Sequence, residues 1–182
     1  MTDYNLKIML AGPGAVGKTA CRIVFTDRKY AENCMMTIGV DISFGEVEGS
    51  DYLARLNFWD LAGQDRFGIV RQHYYKGVHG LVLMFDLTRP HSLDDAWKFF
   101  NDEVVPCTAQ SPLACIAVVG NKKDLSDKIV ISDDDIADFL NKLKATLQVK
   151  YLSFKTSAKE MTGVDEMFNS LTECIVASLR SS

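Results

Sequence analysis

The chain has only five cysteines in 182 residues, an odd number scattered at Cys21, Cys34, Cys107, Cys115 and Cys174. None forms a C-x-x-C pair, which argues against a zinc site and a disulfide framework, and free thiols in a domain of this size point to a reducing compartment, the cytoplasm. His73, His79 and His91 have no metal-ligand spacing and read as structural or solvent-facing residues. No apolar run approaches the roughly eighteen residues needed to cross a bilayer. No secretory leader is expected, because the first strand pattern starts almost at the N-terminus with Lys7 inside it. No run of Lys or Arg is present, and with a net charge of -4 and a pI of about 5.4 the chain lacks the basic face that a nucleic-acid backbone demands. Internal repeats, low-complexity tracts and linkers are also missing. What is left is ordinary globular composition, 47% hydrophobic and 24% charged, which fits one domain over residues 1–182 with a sizeable core.

Short apolar runs alternate with longer amphipathic stretches. Leu6 to Ala11, Gly80 to Phe85 and Ala114 to Val119 are dense in Ile, Val, Leu and Met, as parallel strands buried on both faces require. Ile38 to Val47 and Leu53 to Trp59 alternate enough to form strands, with Glu48-Gly49-Ser50-Asp51 as a hairpin turn between them. Val164, Met167, Phe168, Leu171, Ile175 and Leu179 recur at helical spacing, and Ser132 before Asp133, Asp134 and Asp135 reads as a helix start. The alternation predicts an α/β domain with a mostly parallel sheet and one antiparallel edge hairpin.

The strongest local signal is Gly12-Pro13-Gly14-Ala15-Val16-Gly17-Lys18-Thr19, a match to G-x-x-x-x-G-K-[ST] between a strand ending at Ala11 and a helical pattern beginning after Thr19. The glycines let backbone N–H groups curl around a phosphate at the positive end of a helix. Lys18 supplies a cation for the β/γ-phosphates, and the Thr19 hydroxyl is a hard oxygen suited to Mg²⁺. The candidate phosphate-binding residues are Gly14, Ala15, Val16, Gly17, Lys18, Thr19 and Ala20. A glycine-rich turn with no ligand is the competing reading, and the motif alone does not separate ATP from GTP.

Asn121-Lys122-Lys123-Asp124 follows the Ala114 strand, and Ser157-Ala158-Lys159 follows a strand expected at Tyr151 to Phe154. Both sit at carboxyl ends of strands, where open α/β sheets bind ligands. Guanine presents N1–H and a 2-amino group as adjacent donors, and the Asp124 carboxylate can accept from both. Adenine offers neither, and a site built to hydrogen-bond a missing group rejects the analogue strongly. Either tetrapeptide taken alone would read as a surface turn.

With Asp60-Leu61-Ala62-Gly63-Gln64 added, the set resembles the Ras superfamily of small GTPases over essentially the whole chain. Thr37-Ile38-Gly39-Val40-Asp41, Trp59 to Phe67 and Tyr74-Tyr75-Lys76-Gly77 look most like its Rab branch. The resemblance implies a three-layer P-loop NTPase fold, a six-stranded sheet with helices on both faces. It implies a GTP/GDP switch with Mg²⁺ as cofactor, held by Thr19, Thr37 and, through water, Asp60. Gly63 would touch the γ-phosphate and Gln64 would orient the attacking water. Tyr30, Asn121, Lys122, Asp124, Ser157, Ala158 and Lys159 would surround the guanine. Switch segments around Thr37 and from Gly63 to Tyr75 would meet effectors, an exchange factor and a GTPase-activating protein, with the chain itself a monomer in vesicle trafficking. Trp59 and Tyr74 read either as core residues or, with Ile42, as an effector patch.

The sequence departs from the branch in places. Cys34 stands where many relatives carry a tyrosine, Ile42 replaces a phenylalanine, and Gly14-Ala15 is closer to Ras and Rho chains. The chain ends Leu-Arg-Ser-Ser without the C-terminal cysteines that relatives carry in a lipidated tail, so membrane attachment is expected only if such a tail belongs to the native chain. No arginine is obviously placed to reach the γ-phosphate in cis, with Arg66 and Arg71 left open. Three rival readings compete with it: a P-loop kinase, against which the NKKD and SAK pair argues; a non-hydrolysing binding module, against which Lys18, Thr19, Thr37, Asp60 and Gln64 argue; and a Ras- or Rho-like signalling role outside membrane traffic.

Overall fold

The computed structural model describes residues 1–31, 37–61, 72–108 and 113–181. Six strands, β1 (Thr2–Ala11), β2 (Val40–Glu48), β3 (Tyr52–Leu61), β4 (Gly80–Asp86), β5 (Cys115–Asn121) and β6 (Lys150–Lys155), form one sheet in the order β2-β3-β1-β4-β5-β6. Only β2 and β3 pair antiparallel. The other pairs are parallel, as the buried apolar runs require. All seven residues of β4 and all seven of β5 are buried, whereas β2 at the edge leaves Ile42 and Phe44 exposed.

Helices cover both faces. On one side, α1 (Lys18–Asp27) and α4 (Val164–Arg180) pack a core in which the Phe25, Phe58 and Phe168 rings meet at 4.7–5.9 Å. Each such ring contributes on the order of 1.5–3 kcal/mol by leaving water. On the other side lie α2 (His91–Phe99), which runs on through a π turn at Phe100–Val104 into Val105–Thr108, and α3 (Asp133–Thr146). There Phe85 meets Phe139 edge-on at 6.1 Å. Ser132 caps α3 as its sequence suggests: its Oγ accepts from the Asp135 N–H at 3.1 Å, and the Asp135 carboxylate accepts from the Ser132 N–H at 2.7 Å.

The element boundaries differ from the sequence reading where pairing overrides pattern. β1 begins at Thr2 rather than Leu6, because the polar Thr2 to Asn5 segment pairs with Tyr52 to Arg55 of β3. β2 begins at Val40 rather than Ile38, because Val40 already pairs with Leu61, the last residue of β3. Ile38 is left 90% exposed.

This topology makes β1 the point where the order reverses, with β3 on one side and β4 on the other. The segment leaving Ala11 therefore emerges into the crevice between two carboxyl strand ends, the place open α/β sheets use for ligands.

Candidate functional site

The loop from Gly12 to Gly17 turns back on itself through three left-handed residues, Gly12 (φ 128°), Ala15 (φ 60°) and Gly17 (φ 101°). Both glycines are demanded by close approach as well as by φ. A Cβ on Gly12 would lie 2.1 Å from the Met84 carbonyl oxygen, and one on Gly17 would lie 2.1 Å from the Asn121 Nδ2. Lys18, at the first position of α1, folds back over the loop and donates to the Gly12 and Pro13 carbonyls, both at 2.8 Å. Its ammonium is thus held across the loop mouth, beside N–H groups at the start of a helix.

Next to it three side chains from separate segments converge. The Thr19 and Thr37 hydroxyls are 3.0 Å apart. The Asp60 Oδ2, at the end of β3, accepts from Thr19 and from Thr37 at 3.4 Å. Asp60 is fully buried, and its Oδ1 has no hydrogen-bond partner. Burial raises its carboxyl above the ordinary range, against the opposing pull of the Thr19 hydrogen bond and the charges of Lys18 and Arg22. An orphaned buried carboxylate oxygen beside two hydroxyls is a set of hard oxygens that fits a small divalent cation. Among the described residues no three His, Cys, Asp or Glu side chains cluster.

The second half of the site is a cavity of about 330 Å³ lined by Gly17, Ala20, Tyr30, Asn121, Lys122, Asp124, Leu125, Ala158 and Lys159. Asn121 is a brace rather than a free group. Its Nδ2 donates to the Val16 carbonyl at 2.9 Å, and its Oδ1 accepts from the Thr156 hydroxyl at 3.0 Å and the Ala158 N–H at 3.2 Å. One buried amide thereby ties the glycine-rich loop, the end of β5 and the segment after β6 together. Lys122 takes a left-handed backbone (φ 68°) directly after it, and the Lys123 N–H donates to the Thr156 carbonyl at 3.0 Å. Asp124 Oδ1 accepts from the Ser157 hydroxyl at 2.7 Å, and Ser157 Oγ in turn accepts from the Glu160 N–H at 3.0 Å. Ser157 therefore lies behind the carboxylate and orients it.

Leu125, Asp86, Arg89 and Thr156 belong to this region although the sequence reading did not single them out. Asp86 had a signal: a carboxylate ending an otherwise apolar buried strand. Its side chain is 1% exposed and forms an ion pair with Lys122 at 2.7 Å and with Arg89 at 3.1 Å. Burial alone would raise its carboxyl. Hydrogen bonds from Lys122 and Thr88 outweigh that and hold it below the ordinary carboxylate range.

Ile42 stands opposite Trp59 across the β2–β3 pair and is 45% exposed. The Trp59 and Tyr74 rings are 5.6 Å apart, partly buried against the core under α2, with the Lys7 ammonium 4.0 Å over Trp59. The two aromatics are therefore core on one side and surface on the other. Gly63, Gln64, Arg66, Arg71 and Cys34 lie outside the described residues.

A glycine-rich loop with the phosphate-loop pattern between β1 and α1, with a cavity of about 330 Å³ beside it at the strand ends, is the arrangement of the P-loop nucleotide-binding class. Comparison with known proteins narrows the class. The sequence model of the Ras family matches residues 7–177. The chain is 32% identical over 179 residues to "Ras-related protein RABD2b" of Arabidopsis thaliana, covering 98% of this chain and 84% of that protein. It is 34% identical over 176 residues to "Ras-related protein Rab-1C" of Dictyostelium discoideum, covering 97% and 83%. It is 32% identical over 177 residues to "GTP-binding protein YPT1" of Saccharomyces cerevisiae, covering 97% and 82%. The chain belongs to the Ras family: it is a Rab-like small GTPase, a GTP hydrolase that works as a molecular switch.

Proposed function

We propose that residues 1–182 form a single G domain that binds GTP with Mg²⁺, hydrolyses it slowly and, in each state, presents a different surface to its partners in Rab-like vesicle traffic. The observation that carries the nucleotide reading is the pairing of one cavity with one loop. Asp124 lines the cavity where a base would lie, and Asn121 locks that wall to Val16 of the glycine-rich loop.

In this reading Asp124 accepts from guanine N1–H and the 2-amino group, held in line by Ser157. Lys122 lies along the base with its ammonium fixed by Asp86, and Tyr30, Ala158 and Lys159 close the cavity. Lys18 and the N–H groups of residues 14–20 take up phosphate charge. Thr19, Thr37 and Asp60 would hold the Mg²⁺, which when bound supplies charge neutralisation at the β- and γ-phosphates. Gln64 would orient water for in-line attack, and the Gly63 N–H would bond the γ-phosphate. Thr37 reaches the cation site from the segment just before β2, so loss of the γ-phosphate releases that segment, which leads into β2 next to Ile42, Trp59 and Tyr74. Those three residues form the effector patch in this reading. An exchange factor and a GTPase-activating protein set the timing, and the protein works in the cytoplasm, at a membrane surface if the native chain carries a lipidated tail. Among the described residues no helix is long and apolar enough to cross a membrane.

The deciding experiment exchanges the base reader. Asp124→Asn should invert the preference from GDP to xanthosine diphosphate, because xanthine presents a carbonyl where guanine presents an amine. Competition binding on both proteins checks it. A variant that keeps its guanine preference, or loses both ligands equally, removes Asp124 from the base site.

A further inference from the structure

We propose that Arg89 is a positioning residue of the phosphate loop, acting on the Gly14–Ala15 peptide from the end of β4. Its guanidinium spans two elements. Nε donates to the Asp86 Oδ2 at 3.1 Å, and a terminal nitrogen donates to the Gly14 carbonyl at 2.8 Å. The anchor is rigid. Asp86 is buried, its Oδ1 accepts from the Thr88 N–H at 2.9 Å and the Thr88 hydroxyl at 2.7 Å, and its Oδ2 is shared by Arg89 and Lys122. A planar fork gripped at one end by a fixed carboxylate presents its other N–H groups in a fixed direction.

The consequence for the loop comes from peptide geometry. In a trans peptide the C=O and the following N–H point to opposite sides. Holding the Gly14 carbonyl on the Arg89 side fixes the Ala15 N–H on the far side of the same plane, as a donor for phosphate. Ala15 also has φ 60°, a left-handed backbone that an alanine adopts only when its surroundings impose it. Arg89 supplies that constraint from outside the loop. The shared Asp86 oxygen further joins the Lys122 side of the nucleotide site to the phosphate side, so one buried carboxylate orients a cation for each.

The proposal rests on reading the Gly12 to Thr19 loop as a phosphate loop, and the test separates the two. Dissociation of a fluorescent GDP and affinity for guanosine are measured on wild type, Arg89→Gln and Arg89→Lys, with the thermal midpoint of each protein. The Ala15 amide resonance is followed in the GDP complex. Losing one charge-assisted hydrogen bond should speed GDP release by about tenfold in Arg89→Gln. Guanosine affinity should stay the same, because it has no phosphate for Ala15 to meet. The Ala15 amide resonance should move. The thermal midpoint of the nucleotide-free protein should hardly change, because the side chain is 45% exposed. Arg89→Lys should recover part of the loss, since an ammonium cannot bridge both acceptors as a fork does. GDP release and an Ala15 resonance unchanged in Arg89→Gln overturn the proposal, as does an equal loss of GDP and guanosine, which would put the effect at the base. If wild type itself binds GDP no better than guanosine, it is the phosphate-loop reading that fails.

Discussion

Replacing Asn121 with alanine should cost both stability and nucleotide affinity, because its amide holds three segments together at 2% exposure. The substitution removes one donated bond, to the Val16 carbonyl, and two accepted ones, from the Thr156 hydroxyl and the Ala158 N–H. The Thr156 hydroxyl can rotate toward another acceptor. The Val16 carbonyl and the Ala158 N–H belong to fixed backbone and lose this partner outright. Each orphaned backbone group costs roughly 1–3 kcal/mol, for a sum of about 2–6 kcal/mol. Water entering from the adjacent cavity partly satisfies them, which moves the expectation to the lower half, about 2–4 kcal/mol. Against a typical domain stability of about 5–15 kcal/mol, that is a large fraction. The glycine-rich loop and the segment at Ala158 also lose their common register, so GDP affinity should drop by at least about tenfold, or 1.4 kcal/mol. Urea unfolding with and without saturating GDP measures both effects, because ligand that binds only the folded state adds RT ln(1 + [L]/Kd). A loss below about 0.5 kcal/mol without nucleotide, with Kd for GDP unchanged, would refute the bracing role.

Gln64→Leu should slow GTP hydrolysis by at least about a hundredfold with nucleotide affinity nearly intact, as removal of a water-orienting group implies. Single-turnover phosphate release tests this, and an unchanged partner-stimulated rate counts against the residue. Thr19→Asn should weaken Mg²⁺–GTP more than GDP, since it removes one of the oxygens gathered at Asp60. Affinities for both nucleotides with and without Mg²⁺ decide, and equal losses would remove Thr19 from the cation site. His79 accepts from the Lys7 N–H at 3.0 Å, and burial, aided by the Lys7 charge, lowers its pKa below the ordinary imidazole value. The unfolded chain then binds a proton more readily than the folded one, so this contribution is present above about pH 6.5 and is lost as pH falls below it. His79→Gln should flatten that part of the pH dependence of urea unfolding, and an unchanged slope between pH 7 and 5 would show that His79 does not titrate with folding.

The sequence alone determines the parts of this protein that local chemistry makes contiguous. The glycines, lysine and threonine from Gly12 to Thr19 must be adjacent to form a loop around a phosphate, so the motif is legible in one glance. The apolar runs at β4 and β5 are legible for the same reason, because strands buried on both faces cannot alternate. The α3 start is written in Ser132 and Asp135. Tertiary structure decided what pairing brings together from afar. Asp60 meets Thr19 across 41 positions and Thr37 across 23 because β3 lies beside β1. Asn121 reaches Val16 across 105 positions, in a register that pairs Asp86 with Asn121 on adjacent strands. That same register sets Asp86 beside Lys122 and lets Arg89 touch Gly14 across 75 positions. No window of sequence contains these contacts: the motif residues show what chemistry is available, and the order and register of the strands, set by burying both faces of the sheet, determine which of those groups can touch.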